Sequence, residues 1–343
     1  MRAFARLMDC LVYTQSRNRK VALLGHYFRS APDPDRGWAL AALTDGVPIR
    51  IPLRRMLSDL VSRFIDPVLY RLSRDYVGDT AETVSLLWPD DRVIVPEPPA
   101  ETKVEADASK PRQLRLALEP RANVPELLAA KIGDNSGELP ELSLGAVVAA
   151  MANGTTAERT ERLGHLLDQL DATGRWALLK LIGGAPRVGV SARLARTALA
   201  ESYGRDVSEI EEIWHALTPP YLDLFQWLEG NADRPDPGAK PVFRPVMLAH
   251  PVEEEDWPRL APEDFIAEWK WDGIRVQIAA RSGDVKMFSR QGDDISAAFP
   301  EIRSAFQDQD CVADGELLVM RDGEIAPFND LQQRLNRKSI TAK

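Results

Sequence analysis

Lys270 stands in the run Glu268-Trp269-Lys270-Trp271-Asp272-Gly273-Ile274-Arg275, where one side chain can act as a nucleophile and another can grip an anion. A lysine attacks phosphorus only as the free amine, so its pKa must fall from roughly 10.4 toward neutrality through burial and a neighbouring cation. Asp272-Gly273 predicts a tight turn, because glycine accepts positive φ at no steric cost. Such a turn would hold Lys270 at the lip of a sheet and return Arg275 to the same cleft. A lysine, a one-residue gap, Asp-Gly and an arginine two residues later form the pattern of a covalent nucleotidyl-transfer site. Taken alone, the pattern is equally compatible with a β-hairpin carrying solvated charges.

Three further segments narrow the choice. Val285 to Gly292 reads as a short strand ending in Arg290 and a turn, with Lys286, Phe288 and Arg290 on one face. Cys311 to Met320 reads as two apolar strand halves around a second Asp-Gly turn, Asp314-Gly315, with Glu316 just beyond it. Phe328 to Lys338 reads as a short basic helix. In Ile274-Arg275-Val276-Gln277-Ile278 the apolar residues share one face of a strand, so Arg275 points to the other. In order and spacing these segments resemble the ATP-dependent DNA ligases, specifically the bacterial type with an N-terminal DNA-binding domain.

That resemblance implies roles. Lys270 would attack the α-phosphate of ATP and carry AMP, with Asp272 shaping the turn. Arg275 and Arg290 would contact the nucleotide, or for Arg290 the 5′-phosphate, where a guanidinium fork suits phosphate oxygens. Glu316 would accept from the ribose hydroxyls and is the one candidate ligand for Mg2+. Glu268 would lie beside the adenine. An RNA ligase or capping-type guanylyltransferase shares the lysine motif, but the long helical N-terminal portion disfavours both.

A chain of 343 residues, 44% hydrophobic and 28% charged, is long enough for two or three domains. No apolar stretch is long enough to span a bilayer. There is no signal-peptide core, and a reducing cytoplasm is the expected compartment. Cys10 and Cys311 are far apart and the four histidines do not cluster, which argues against zinc and against a disulfide framework. His215 is expected at a core or rim position. The net charge of −9 is unevenly spread. Residues 1–75 hold 13 Lys and Arg against 7 Asp and Glu, so a basic surface can coexist with an acidic whole.

A second basic island lies between Asp171 and Glu201, where Arg175, Lys180, Arg187, Arg193 and Arg196 occur with no acid among them. Trp176 to Ile182 reads as a buried helix stopped by Gly183-Gly184. Ser191 is placed to cap the next helix, and Gly189 to allow close approach of a ligand. A helix start of this kind, flanked by Arg187 and Arg193, is suited to a backbone phosphate. The segment also resembles the family's DNA-binding domain, whose contacts are sequence-independent.

The expected organisation is an all-α DNA-binding domain over 1–225, a linker over 226–240, and an incomplete α+β antiparallel nucleotidyltransferase domain over 241–343. A loop or disordered insertion is expected at 95–112. Ser16 is a candidate cap, and a Pro/Asp break is expected at residues 31–35. In the family the adenylation domain continues with a further glutamate motif, a paired-lysine motif and an OB-fold domain. The chain is therefore expected to be the front part of a ligase acting in repair or replication, and by itself not to join a nick. Its partner would be nicked duplex DNA and its cofactors ATP and Mg2+, with a monomer expected. The alternative is a catalytically incomplete fragment that occupies nicks without sealing them.

Overall fold

The computed structural model describes residues 1–89, 142–184 and 186–335. The expected insertion at 95–112 and the end of the basic helix lie outside the described residues. The chain divides into two compact units, Met1–Ala198 and Leu199–Lys343. The division falls upstream of the segment 226–240.

In the first unit the described elements are helices: α1 (Arg2–Tyr13), α2 (Arg17–Ser30), α3 (Asp35–Leu43), α4 (Leu53–Val61), α5 (Pro67–Val77), α6 (Thr80–Leu87), α7 (Leu144–Ala152), α8 (Thr156–Asp168) and α9 (Ala172–Gly183). The helix α10 (Ala192–Ser202) crosses the division. Local chemistry sets the boundaries. Ser16 accepts from the N–H of Arg19, Thr155 and Glu158 form a reciprocal capping box on α8, and Gly184 ends α9 in the left-handed region. The expected break at 31–35 is real: α2 stops at Ser30 and α3 begins at Asp35. Asp35 caps α7 as well, accepting from the N–H groups of Leu144 (2.9 Å) and Gly145 (3.1 Å). Phe4, Leu7, Met8 and Leu11 recur at helical spacing along α1 and are fully buried, where α1 packs on α2 and α9.

The basic island is less basic at its surface than its composition predicts. Arg175 is buried and donates to the carbonyls of Leu167 (2.9 Å) and Trp88 (3.2 Å). Lys180 is paired with Asp79, and Arg196 is buried. Only Arg187 and Arg193 of the five are exposed. A charge count along a sequence cannot register that three of these cations are withdrawn from the surface, two of them, Arg175 and Lys180, onto carbonyls and a carboxylate.

The second unit opens with α11 (Val207–Trp214) and α12 (Leu222–Leu228). The segment read as a linker is held against α11. Arg234 donates to the Glu209 carbonyl and to Glu212 (2.7 Å), and Lys240 donates to the Ala216 carbonyl (3.0 Å). His215 caps α11 with its ring centroid 4.4 Å from that of Phe288. The strand-rich part then comprises β1 (Ile274–Arg281), β2 (Asp284–Ser289), α13 (Pro300–Ala305), β3 (Cys311–Leu317), the short hairpin β4 (Met320–Arg321) and β5 (Glu324–Ile325), and α14 (Phe328–Leu335). The sheet order is β2-β1-β3, antiparallel throughout. On one face Val276, Ile278, Ala280, Val285 and Met287 pack with Phe299 and Leu331. On the other, Ala279 and Phe288 pack with Phe243. The side chain of Gln277 takes the place of a neighbouring strand on that face. It accepts from the Arg244 N–H (2.7 Å) and donates to the Arg244 carbonyl (2.9 Å), so residues 241–246 are fixed without joining the ladder.

Neither expected Asp-Gly pair forms a positive-φ turn, although the chain bends at 272–273. Gly273 has no positive φ. A Cβ there would collide with the Leu317 carbonyl and press on Glu316, so the glycine permits strand β3 to approach. Asp314-Gly315 lies inside the continuous strand β3, with Gly315 opposite Val276. Positive φ is found instead in the turns that join β1 to β2, Ser282-Gly283, and β4 to β5, Asp322-Gly323.

Candidate functional site

Four of the five residues expected at a nucleotide site meet in one open cleft. It is lined by Ala249, Glu268, Trp269, Lys270, Trp271, Arg275, Asp314, Gly315 and Glu316. The β1–β3 register explains the grouping. Arg275 is the cross-strand partner of Glu316, and Gln277 that of Asp314. Alternation then brings Arg275, Asp314 and Glu316 to the same face, opposite the core formed by Val276 and Ile278. Lys270 enters from the irregular segment just before β1, which is the edge of that same face.

The electrostatics of the cleft rest on one pair. Arg275 Nε and Nη2 donate to Asp314 Oδ1 (3.2 Å) and Oδ2 (2.7 Å), a side-on bidentate contact. The hydrogen bonds that Arg275 donates to Asp314 raise its pKa above the ordinary value, and the negative charge of Glu316 adds to the effect. Lys270 is exposed, contrary to the burial that its chemistry predicts. It is flanked by Trp269 and Trp271, 83% and 48% exposed, with ring centroids 6.5 Å apart.

Arg290 is placed differently from the expectation. It lies in the turn after β2 rather than on the strand, is exposed, and does not line the cleft. Of its expected companions, Phe288 is fully buried and Lys286 is paired with Asp294 at 2.8 Å. Among the described residues no group of three or more His, Cys, Asp or Glu is arranged to hold a metal ion. A Mg2+ bound chiefly through nucleotide phosphates needs only one or two protein carboxylates; Glu316, the expected ligand, is one of the carboxylates that line the cleft.

In the first unit, Arg187, Gly189, Ser191 and Arg193 are all exposed on the loop and first turn of α10. Ser191 Oγ accepts from the Leu194 N–H at 3.1 Å, as a cap should. Gly189 has φ +65°, but a side chain is what approaches it: a Cβ there would meet Lys20 Nζ. Lys20, 9% exposed, donates to the carbonyls of Val188 (3.0 Å) and Gly189 (2.8 Å). Sequence reasoning missed Lys20 because its partners lie about 170 positions away. It missed Asp314 because the Asp-Gly pair reads as a turn.

Residues 246–343 match the ATP dependent DNA ligase domain. The chain is 32% identical over 191 residues to a "Probable DNA ligase" of Koribacter versatilis, covering 54% of this chain and 32% of that one. It is 28% identical to "DNA ligase 1" of Korarchaeum cryptofilum, covering 57% and 36%. A "Probable DNA ligase" of Opitutus terrae aligns at 27% identity with 98% of this chain, but only 37% of its own length is covered. The chain thus spans roughly a third of the length of these curated relatives. No helix among the described residues is long and apolar enough to cross a membrane. Residues 246–343 are thus similar to the ATP dependent DNA ligase domain, and the similarity to DNA ligases extends through the helical portion that precedes them.

Proposed function

We propose that this chain contributes the nucleotide-binding cleft of an ATP-dependent DNA ligase that seals nicks in duplex DNA through a lysyl-AMP intermediate. The observation that carries the reading is the convergence of Lys270, Glu268, Arg275 and Glu316 in one cleft within the segment that matches the ligase domain. Lys270 Nζ donates its lone pair to the α-phosphorus of ATP as the bond to pyrophosphate breaks, and the amine loses a proton in forming the P–N bond. AMP then passes to the 5′-phosphate of the nick, and attack by the 3′-hydroxyl releases it. Arg275 neutralises phosphate oxygens, Glu316 accepts from the ribose hydroxyls, and Glu268 lies on the side of the base. Mg2+, held with the nucleotide beside Glu316, would offset phosphate charge. Arg290, in the turn after β2, is assigned to the 5′-phosphate side.

An all-α DNA-binding portion preceding an antiparallel nucleotidyltransferase domain fits this chemistry, because sealing any nick calls for sequence-independent grip on the backbone. Arg187, Gly189, Ser191 and Arg193 supply it at the start of α10, where the helix dipole favours an anion. Incubation with ATP or GTP labelled at the α-phosphate, followed by a denaturing gel, tests the reading. Covalent label from ATP and not from GTP supports it. Label from GTP alone would replace it with a guanylyltransferase.

A further inference from the structure

Asp314 lines the cleft yet has no part in the chemistry above. It faces away from the apolar core, on the same face as Arg275 and Glu316, and its side chain is 37% exposed. Its two oxygens take the Nε and Nη2 edge of Arg275. The Nη1 end of the fork is thereby turned away from Asp314. A guanidinium is planar and rigid, so holding one edge fixes the direction of the others. An arginine on a flexible stem would otherwise lose rotamer freedom each time a nucleotide bound.

We infer that Asp314 is a positioning residue, orienting Arg275 so that its Nη1 edge receives a phosphate or ribose oxygen of the bound nucleotide. This rests on the proposed adenylation chemistry at Lys270. The pair is partly exposed and so contributes little to stability. Its value is preorganisation: the fork is set before the nucleotide arrives. Glu316 lies directly opposite Arg275, yet both bonds of the fork go to Asp314, two residues away along β3 and diagonal to the arginine.

The test uses the whole chain with ATP and Mg2+, comparing the parent with Asp314→Asn, Asp314→Glu, Arg275→Ala and the double variant Asp314→Asn/Arg275→Ala. The inference expects Asp314→Asn to raise the half-saturating ATP concentration or lower the labelling rate by about tenfold or more. Its melting temperature should stay at the parent's value, and Asp314→Glu should recover part of the loss. The double variant should be no worse than Arg275→Ala alone, since the aspartate acts only through the arginine. Full additivity, or unaltered labelling by Asp314→Asn, overturns it. If the parent takes no label, the adenylation reading fails separately, and the arginine Nε–H resonances decide the inference. A signal assigned to Arg275 that responds to ATP in the parent but not in Asp314→Asn sustains it; one that ignores ATP in both refutes it.

Discussion

At the scale of single residues, the grouping of side chains in the cleft was readable because the motif residues alternate along strands that a period-two pattern identifies. Arg275 and Glu316 were expected in one cleft, and register brings them directly opposite each other. The backbone reasoning was less successful. Four Asp-Gly pairs occur, at 45–46, 272–273, 314–315 and 322–323. Asp45 and both residues of 322–323 adopt positive φ, whereas none of the residues at 272–273 or 314–315 does. The dipeptide is identical; strand pairing, which is nonlocal, decides its conformation. A direct consequence concerns Gly273. Gly273→Ala should cost about 1–3 kcal/mol, because the methyl group meets a strand carbonyl that cannot move without breaking pairing. It should also reduce adduct formation by displacing Lys270. Thermal melting and ATP labelling check this; an alanine variant with parental stability would mean that β3 does not approach Gly273 so closely.

At the scale of elements, caps were the most legible feature. Ser16, Ser191 and the Gly183-Gly184 stop each lie where a helix begins or ends. The direction in which cations point was not legible, since Arg175 and Lys180 find their partners in distant helices. Asp79 illustrates the energetic consequence. Its partial burial opposes ionisation, but the Lys180 ammonium and the N–H of Glu82 outweigh burial and hold its carboxyl below the usual range. A depressed carboxyl contributes stability above its unfolded pKa of about 3.9, and that stability is lost as pH falls through the folded value. Asp79→Asn keeps a good helix cap. It should therefore lose only the ion pair, about 0.5–1 kcal/mol at neutral pH after screening, with the gap to the parent closing below about pH 4. Urea melts across pH measure it, and a gap that widens in acid would contradict the assignment. The exposed pair at the start of α10 yields a separate expectation. Arg187→Glu/Arg193→Glu should weaken binding to nicked duplex uniformly across sequences and flatten its dependence on salt. Unchanged binding at moderate salt would remove the phosphate-site reading of that loop.

At the scale of the whole molecule, the helical character of the first unit and the strands after residue 241 were legible in hydrophobic periodicity, whereas the acidic total charge concealed where cations could act. The placement of α11 and α12 with the second unit was not legible. It depends on Arg234, Lys240 and His215 holding residues together across connections that sequence patterns read as a linker. The central claim is that one lysine in this chain carries AMP, and peptide mapping of the adduct tests it most directly. After incubation with ATP and Mg2+, mass spectrometry should find AMP on Lys270, with no adduct in Lys270→Ala. Lys270→Arg should also carry none, because a guanidinium does not supply a free amine near neutral pH. AMP on a different lysine of the parent, or an adduct that persists in Lys270→Ala, would contradict the account.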